Sequence, residues 1–321
     1  MRLWLSAWLA PGCAGRLLPL FGLLLAGLAS AADPPYRIEL LMSEGNGPYQ
    51  ALAQTLREEL QRLGEPPYRL GQSLVDSPDP ERIAHADLVV TIGSRASRLV
   101  DGLTPRGQVL HLLIPSSAYP FTTAQEGHRT RHSAIFIDQP WARQLELIRL
   151  TLPGMERIGI LLGSTSLELR DELESAIAER QWQAQVGLVP EGGNYLGPLR
   201  RLLEHSEVLL AVPDQQVFNR QNLQGILLTS YRREVPMIGF SPGYVRAGAL
   251  AAVYSTPEQI GLQAAHWIAP LLQDPGISLP PPQHPEHFSV AVNHQVARSL
   301  GLRVPGEEDL LRELQALERQ P

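Results

Sequence analysis

The stretch Glu207–Ser241, EVLLAVPDQQVFNRQNLQGILLTSYRREVPMIGFS, decides the fold. EVLLAVPD (Glu207–Asp214) is a short apolar run stopped by Pro213 and Asp214, which reads as a buried strand. NLQGILLTSYRRE (Asn222–Glu234) sets its apolar residues at helical spacing, and VPMIGFS (Val235–Ser241) is a second apolar run. Strand, helix and strand in succession make a βαβ unit, whose strands lie parallel with the helix packed across them.

The same alternation extends in both directions. Upstream, strands are expected at Arg37–Ser43, Ala86–Ser94, Gln108–Ser117 and Ser133–Asp138, with helices at Tyr49–Gly64 and Pro140–Gly154. The series then restarts with strands at Arg157–Ser164 and Gln183–Val189, helices at Ser166–Gln181 and Leu196–Ser206, and a last strand at Ala249–Ser255. The proline-rich SLPPPQHPEH (Ser278–His287) reads as a connector. Two series predict an α/β protein of two doubly wound parallel-sheet lobes.

Composition narrows the function. The chain has 321 residues, is 44% hydrophobic and carries a formal charge of −6, and all 27 of its basic residues are arginine. Without lysine it can hold neither a P-loop lysine nor a Schiff base. The acidic balance and lack of a basic stripe exclude a nucleic-acid partner. Arg2 and Arg16 precede LLPLFGLLLAGLASA, which ends on Ala29-Ser30-Ala31, so residues 1–31 read as a secretory signal peptide. Removing its two arginines makes the charge −6 − 2 = −8. Cys13 is the only cysteine and lies in that leader, so the exported chain is expected to lack thiols and disulfides. LAPGC outlines a lipoprotein signal, but Pro11 and the apolar run after Cys13 argue against anchoring.

Ligands of open α/β sheets bind beyond the carboxyl ends of the strands. Those ends carry Ser43-Glu44-Gly45-Asn46, Gly93-Ser94-Arg95, Pro115-Ser116-Ser117, Gly163-Ser164-Thr165-Ser166, Pro213-Asp214-Gln215, Gly239-Phe240-Ser241 and Tyr254-Ser255. Such residues suit hydrogen bonding to a small molecule, and they also cap the helices that follow strands. Asp214 has both readings, as the partner of a ligand ammonium or as a cap of the next turn. Gly239-Phe240-Ser241-Pro242-Gly243 matches the G-x-S-x-G of a nucleophile elbow. An elbow draws an oxyanion donor from the N–H after the serine, however, and Pro242 has none. Losing such a donor costs on the order of a hundredfold in rate or more, so Ser241 is not expected to be a nucleophile. His284, His287 and His294 lack the spacing of a zinc protease, and no glycine-rich turn fits a dinucleotide, so neither metal nor cofactor is expected.

MIGFSPGYVRAGALAAVYSTPEQIGLQAAHWIAPLL (Met237–Leu272), with FSVAVNHQVARSLGLRVP (Phe288–Pro305), resembles type I periplasmic substrate-binding proteins of the ABC-transporter family that includes tryptophan- and tyrosine-binding members. The resemblance rests on Val245, Gly248-Ala249-Leu250-Ala251, Glu258 with Gly261, and Asn293, Ala297, Leu300-Gly301-Leu302 and Pro305. LELIRLTLPGMERIGILLGSTS (Leu145–Ser166) resembles the start of the family's second lobe, whereas LLIPSSAYPF (Leu112–Phe121) departs from its first-lobe pattern. The resemblance implies two lobes joined by a hinge of crossing strands, lobe 1 from residues 36–137 and 255–283 and lobe 2 from 138–254 and 284–305, with a C-terminal helix in 306–321. It implies ligand contacts at Ser94, Ser116, Ser117, Ser164, Thr165, Asp214, Ser241, Tyr254 and Ser255. The expected activity is non-enzymatic capture of a small polar or amino-acid-like ligand, by a periplasmic monomer that serves an ABC permease. Two alternatives are a ligand receptor for an inner-membrane sensor and an exported serine hydrolase using Ser241.

Overall fold

The computed structural model describes residues 35–64, 67–119 and 132–319. The expected signal peptide, Cys13 and the end of the divergent first-lobe stretch lie outside the described residues. No helix among the described residues is long and apolar enough to cross a membrane.

Two sheets organise the chain. The first contains β1 (Tyr36–Met42), β2 (Tyr68–Leu74), β3 (Leu88–Ile92), β4 (Gln108–Ile114) and β5 (His132–Phe136), all parallel in the order β2-β1-β3-β4-β5. Successive residues serve opposite faces, as the period of a strand requires. Leu40, Val90 and Leu112 pack under α1 (Gly47–Leu63) and α9 (Pro257–Gln273), while Leu41, Val89 and Val109 pack under α2 (Pro80–His85) and α3 (Ser94–Asp101).

The second sheet repeats the pattern with β6 (Arg157–Leu162), β7 (Gln183–Leu188), β8 (Val208–Leu210), β9 (Met237–Gly239) and β10 (Ala251–Tyr254) in the order β10-β9-β8-β6-β7. These strands are parallel, and β11 (Ser289–Val292) closes the edge antiparallel to β10. Its core draws on α4 (Trp141–Thr151), α5 (Arg170–Ala178), α6 (Leu196–Leu203), α7 (Arg220–Arg232) and α11 (Glu307–Glu318), the last through Leu310 and Leu314. Two short helices, α8 (Pro242–Ala247) and α10 (His294–Ser299), flank β10 and β11.

Several boundaries differ from the sequence expectations. β2 and β11 were not expected as strands. β2 is a half-exposed edge strand and β11 has only four residues, so neither shows a continuous apolar run. β5 ends at Phe136 rather than Asp138, because Asp138 is drawn into side-chain contacts. α7 begins at Arg220, two residues before the expected start, where the Asn219 side chain accepts from the N–H groups of Gln221 and Asn222. Pro140 is the N-cap of α4 rather than its first residue. The proline-rich connector lies beside β5, where Phe136 N donates to Gln283 O at 3.1 Å.

Three segments cross between the sheets: residues 137–140 from β5 to α4, Ser255-Thr256 from β10 to α9, and residues 283–288 into β11. A residue spans at most ~3.6 Å, so the first two links hold the carboxyl ends of β5 and β10 close to the other sheet's helices.

Candidate functional site

Both sheets have the strand order 2-1-3-4-5, and in each the connections reverse direction between the first strand and the third. The crevice at that reversal is where open α/β sheets bind ligands. In the first sheet it lies between the loops after β1 and β3, in the second between those after β6 and β8.

In the first crevice, Ser43 N donates to Ile92 O, and the Ser43 hydroxyl accepts from Ala96 N at 3.1 Å. Gly93 makes this approach available. Its φ is +92°, and a Cβ there would lie 2.6 Å from Ser43 Oγ and 2.5 Å from Tyr49. Ser94 follows as the first, half-buried residue of α3. Arg95 turns back to donate to Asp76 Oδ1 at 2.6 Å and to Ser43 O at 3.3 Å. Beside this crevice, Ser116 N and Ser116 Oγ each donate to a different oxygen of Asp138, both at 2.7 Å, and Ser117 stands exposed in the same turn.

The second crevice centres on Asp214, which is 3% exposed. Its Oδ2 accepts from Gly163 N at 3.0 Å and Ser166 Oγ at 2.6 Å, and its Oδ1 from the N–H groups of Gln216 and Val217, both at 2.8 Å. Burial pushes this carboxyl up, but the bonds from Ser166, Val217, Thr165 and Gly163 outweigh it and hold Asp214 below the usual carboxylate range. Gln216 completes the frame. Its Oε1 accepts from Ser164 N and Oγ, and its Nε2 donates to Pro190 O at 2.7 Å. The Gly163 turn is close enough that a Cβ there would lie 2.8 Å from Gln216 Oε1. Thr165 is exposed at the turn's tip.

Ser241 is the N-cap of α8, and its side chain caps no N–H there. α8 has six residues, not the long helix of a nucleophile elbow. Tyr254 ends β10 half-buried. Ser255, in the second crossing, accepts from Gln139 Nε2 at 2.9 Å and donates to His287 O at 2.6 Å. It thereby links all three crossings.

Ser94, Ser116 and Ser117 thus gather at the first sheet's carboxyl ends, and Ser164, Thr165, Asp214 and Ser241 at the second's, with Tyr254 and Ser255 leading into a crossing. Sequence reasoning placed Ser43 at a strand end without making it a contact and overlooked Asp138, Gln139 and Gln216; all four order the loops carrying the expected contacts. Ser43 and Asp138 stood at expected strand ends, where the signal was available. No group of three or more His, Cys, Asp or Glu residues arranged to hold a metal occurs among the described residues.

A family model described as "ABC transporter substrate binding protein" matches residues 138–315. No curated protein matches this sequence. Among solved structures, the chain is similar to an ABC domain in complex with L-Trp from Streptococcus pneumonia, at 16% identity and a TM-score of 0.60, covering 87% of this chain and 98% of that one. It is similar to a conserved domain protein from Vibrio cholerae, at 18% identity and a TM-score of 0.59, over 87% and 98% of the two chains. It is also similar to the ligand-free, open structure of a substrate-binding protein with adhesive properties from Clostridium difficile. There the identity is 16% and the TM-score 0.69, over 85% of this chain and 97% of that one. These likenesses show the fold.

Proposed function

The chain belongs to the ABC transporter substrate-binding protein family, and from that premise we propose that it captures a small polar or amino-acid-like solute between its two lobes and delivers it to an ABC permease. The observation that carries this reading is the repeated strand order, with short crossings leaving from the carboxyl ends of both sheets. It supports one ligand held from two sides, with hinge closure driven by a higher affinity for the closed form.

The contacts fall to Ser94, Ser116 and Ser117 from lobe 1, Ser164, Thr165 and Ser241 from lobe 2, and Tyr254 beside the hinge. Asp214 takes a supporting role in this reading, because its oxygens already accept from the turns they join. Residues 36–137 and 255–283 form lobe 1, and residues 138–254 and 284–305 form lobe 2, joined by the C-terminal helix. The leader reading of residues 1–31 supports export to the periplasm. The L-Trp held by the pneumococcal protein supports an amino-acid-like ligand. The Ser241 hydrolase reading is set aside, since Pro242 supplies no oxyanion donor.

The test is a thermal-shift screen against amino acids, nucleobases, sugars and small anions. A ligand of the folded state raises Tm by mass action, by ~2.7 kcal/mol of stability at a hundredfold excess over Kd. A shift confined to one chemical class is the expected result. No shift with any of them, at millimolar concentration, would contradict small-solute capture.

A further inference from the structure

We propose that the C-terminal helix α11 is a latch on the hinge, fastened by Glu318 to Arg143. This inference rests on the hinge-closure reading above.

Arg143, on the first turn of α4, is 7% exposed and has each guanidinium nitrogen engaged. Nη1 donates to Gln139 Oε1 at 2.6 Å, in the first crossing, and to Pro285 O at 2.9 Å, in the third. Nε and Nη2 form a two-pronged pair with the carboxylate of Glu318, the second bond at 2.9 Å. The guanidinium carbon lies 3.9 Å from the ring centre of Phe288, where the third crossing enters β11. Gln139, 3% exposed, passes the chain of bonds on to Ser255 in the second crossing, and Ser255 to His287 O in the third. One connected network therefore runs from the last residue of α11 through every segment that must bend when the lobes move.

The arrangement suits a switch between discrete states more than a passive strut. A bidentate guanidinium–carboxylate pair is directional, so it favours one relative placement of α4 and α11. Bending the crossings would displace the Gln139 and Pro285 acceptors relative to Arg143, and Glu318 fixes Arg143 from the opposite side. Of the buried side-chain atoms without a partner among the described residues, Gln144 Oε1 and Gln263 Nε2 both belong to side chains bracing these crossings. Gln144 donates to Gln139 O, and Gln263 accepts from Glu286 N. Such unpaired groups are costly, and a second bend that pairs them would compete with the first. Glu318 thus weights the open–closed balance from a helix that supplies none of the expected ligand contacts.

The test measures the distance between lobes without any ligand. Spin labels are placed on Arg98→Cys in α3 and Gln221→Cys in α7, both exposed, in the full chain with Cys13→Ser. Pulsed dipolar spectroscopy then compares the parent with Glu318→Gln, which keeps side-chain size and removes the charge. The ratio of the populations at the two interlobe distances is expected to change roughly two- to thirtyfold, the scale at which substitutions remote from a ligand alter coupling. Arg312→Gln, on the same helix and paired with Asp309 one turn away, is expected to leave the ratio unchanged. An unchanged ratio in Glu318→Gln overturns the latch, and so does an equal shift in Arg312→Gln. The paired change Gln139→Ala with Ser255→Ala separates the two levels. If it moves the distances and Glu318→Gln does not, the latch fails and the hinge stands. If none of these variants departs from one narrow distance, the hinge reading fails with it.

Discussion

Asp214 shows how a single residue's role depends on its surroundings. The sequence leaves it open between ligand partner and turn cap, because both require a carboxylate after a strand. The structure surrounds it with hydrogen-bond donors, among them Gly163, Ser166, Gln216 and Val217, which tie the ends of β6 and β8. Removing the acceptor strands several buried donors, each costing about 1–3 kcal/mol, so Asp214→Ala is expected to lower stability by about 2–4 kcal/mol. Chemical denaturation measures this, and a loss below 0.5 kcal/mol, roughly the scale of an ordinary surface substitution, would refute the supporting role.

His111 carries the clearest pH signature. It is fully buried on β4, bonded to Thr91 and Ser97 through Nδ1 and to His132 through Nε2. Burial, and then the neighbouring His132, push it down to about 3 from an ordinary 6.5. The fold therefore favours the neutral ring, while the unfolded chain takes up a proton below about 6.5. This contribution is complete above that pH and is lost progressively as pH falls toward 3, amounting to about 2 kcal/mol at pH 5. Melting curves at pH 7 and pH 5 are expected to separate less in His111→Gln than in the parent. Equal separation in the two proteins would show that another group sets the acid sensitivity.

At the scale of elements, the strongly patterned segments were legible and the weakly patterned ones were not. β3, β4 and β6 are buried on both faces and read as apolar runs, whereas β2 (YRLGQSL) is a polar edge strand. α9 was read only through the family resemblance, at Glu258 and Gly261, although its own residues carry a start signal. Thr256 and Gln259 form a capping box at its start, with Pro257 in the first turn. Its partner was not legible, because a contact between α9 and α1 joins residues far apart in sequence. Gly261 carries that contact. A Cβ there would lie 2.8 Å from Leu52 O, a backbone atom that cannot turn aside. Gly261→Ala is expected to cost about 1–3 kcal/mol by overpacking, despite alanine's better helix propensity. An unchanged or raised Tm would mean that the two helices separate freely at this point.

For the molecule as a whole, the βαβ alternation foretold two parallel sheets, and the family resemblance, read on segments between Leu145 and Pro305, agrees with the match over residues 138–315. The first lobe departs from the family in sequence yet has the same strand order as the second. Order is set by burial pattern and connection handedness, which tolerate wide substitution, while ligand contacts depend on individual side chains. The hinge network escaped sequence reading for the same reason that it is informative: Arg143 and Glu318 lie 175 residues apart, and no local pattern marks them as partners. The central claim, that two lobes close over a solute, is tested most directly by small-angle scattering with and without the ligand giving the largest thermal shift. The account predicts a smaller radius of gyration at saturation. An unchanged radius, with binding confirmed in the same sample, would contradict it.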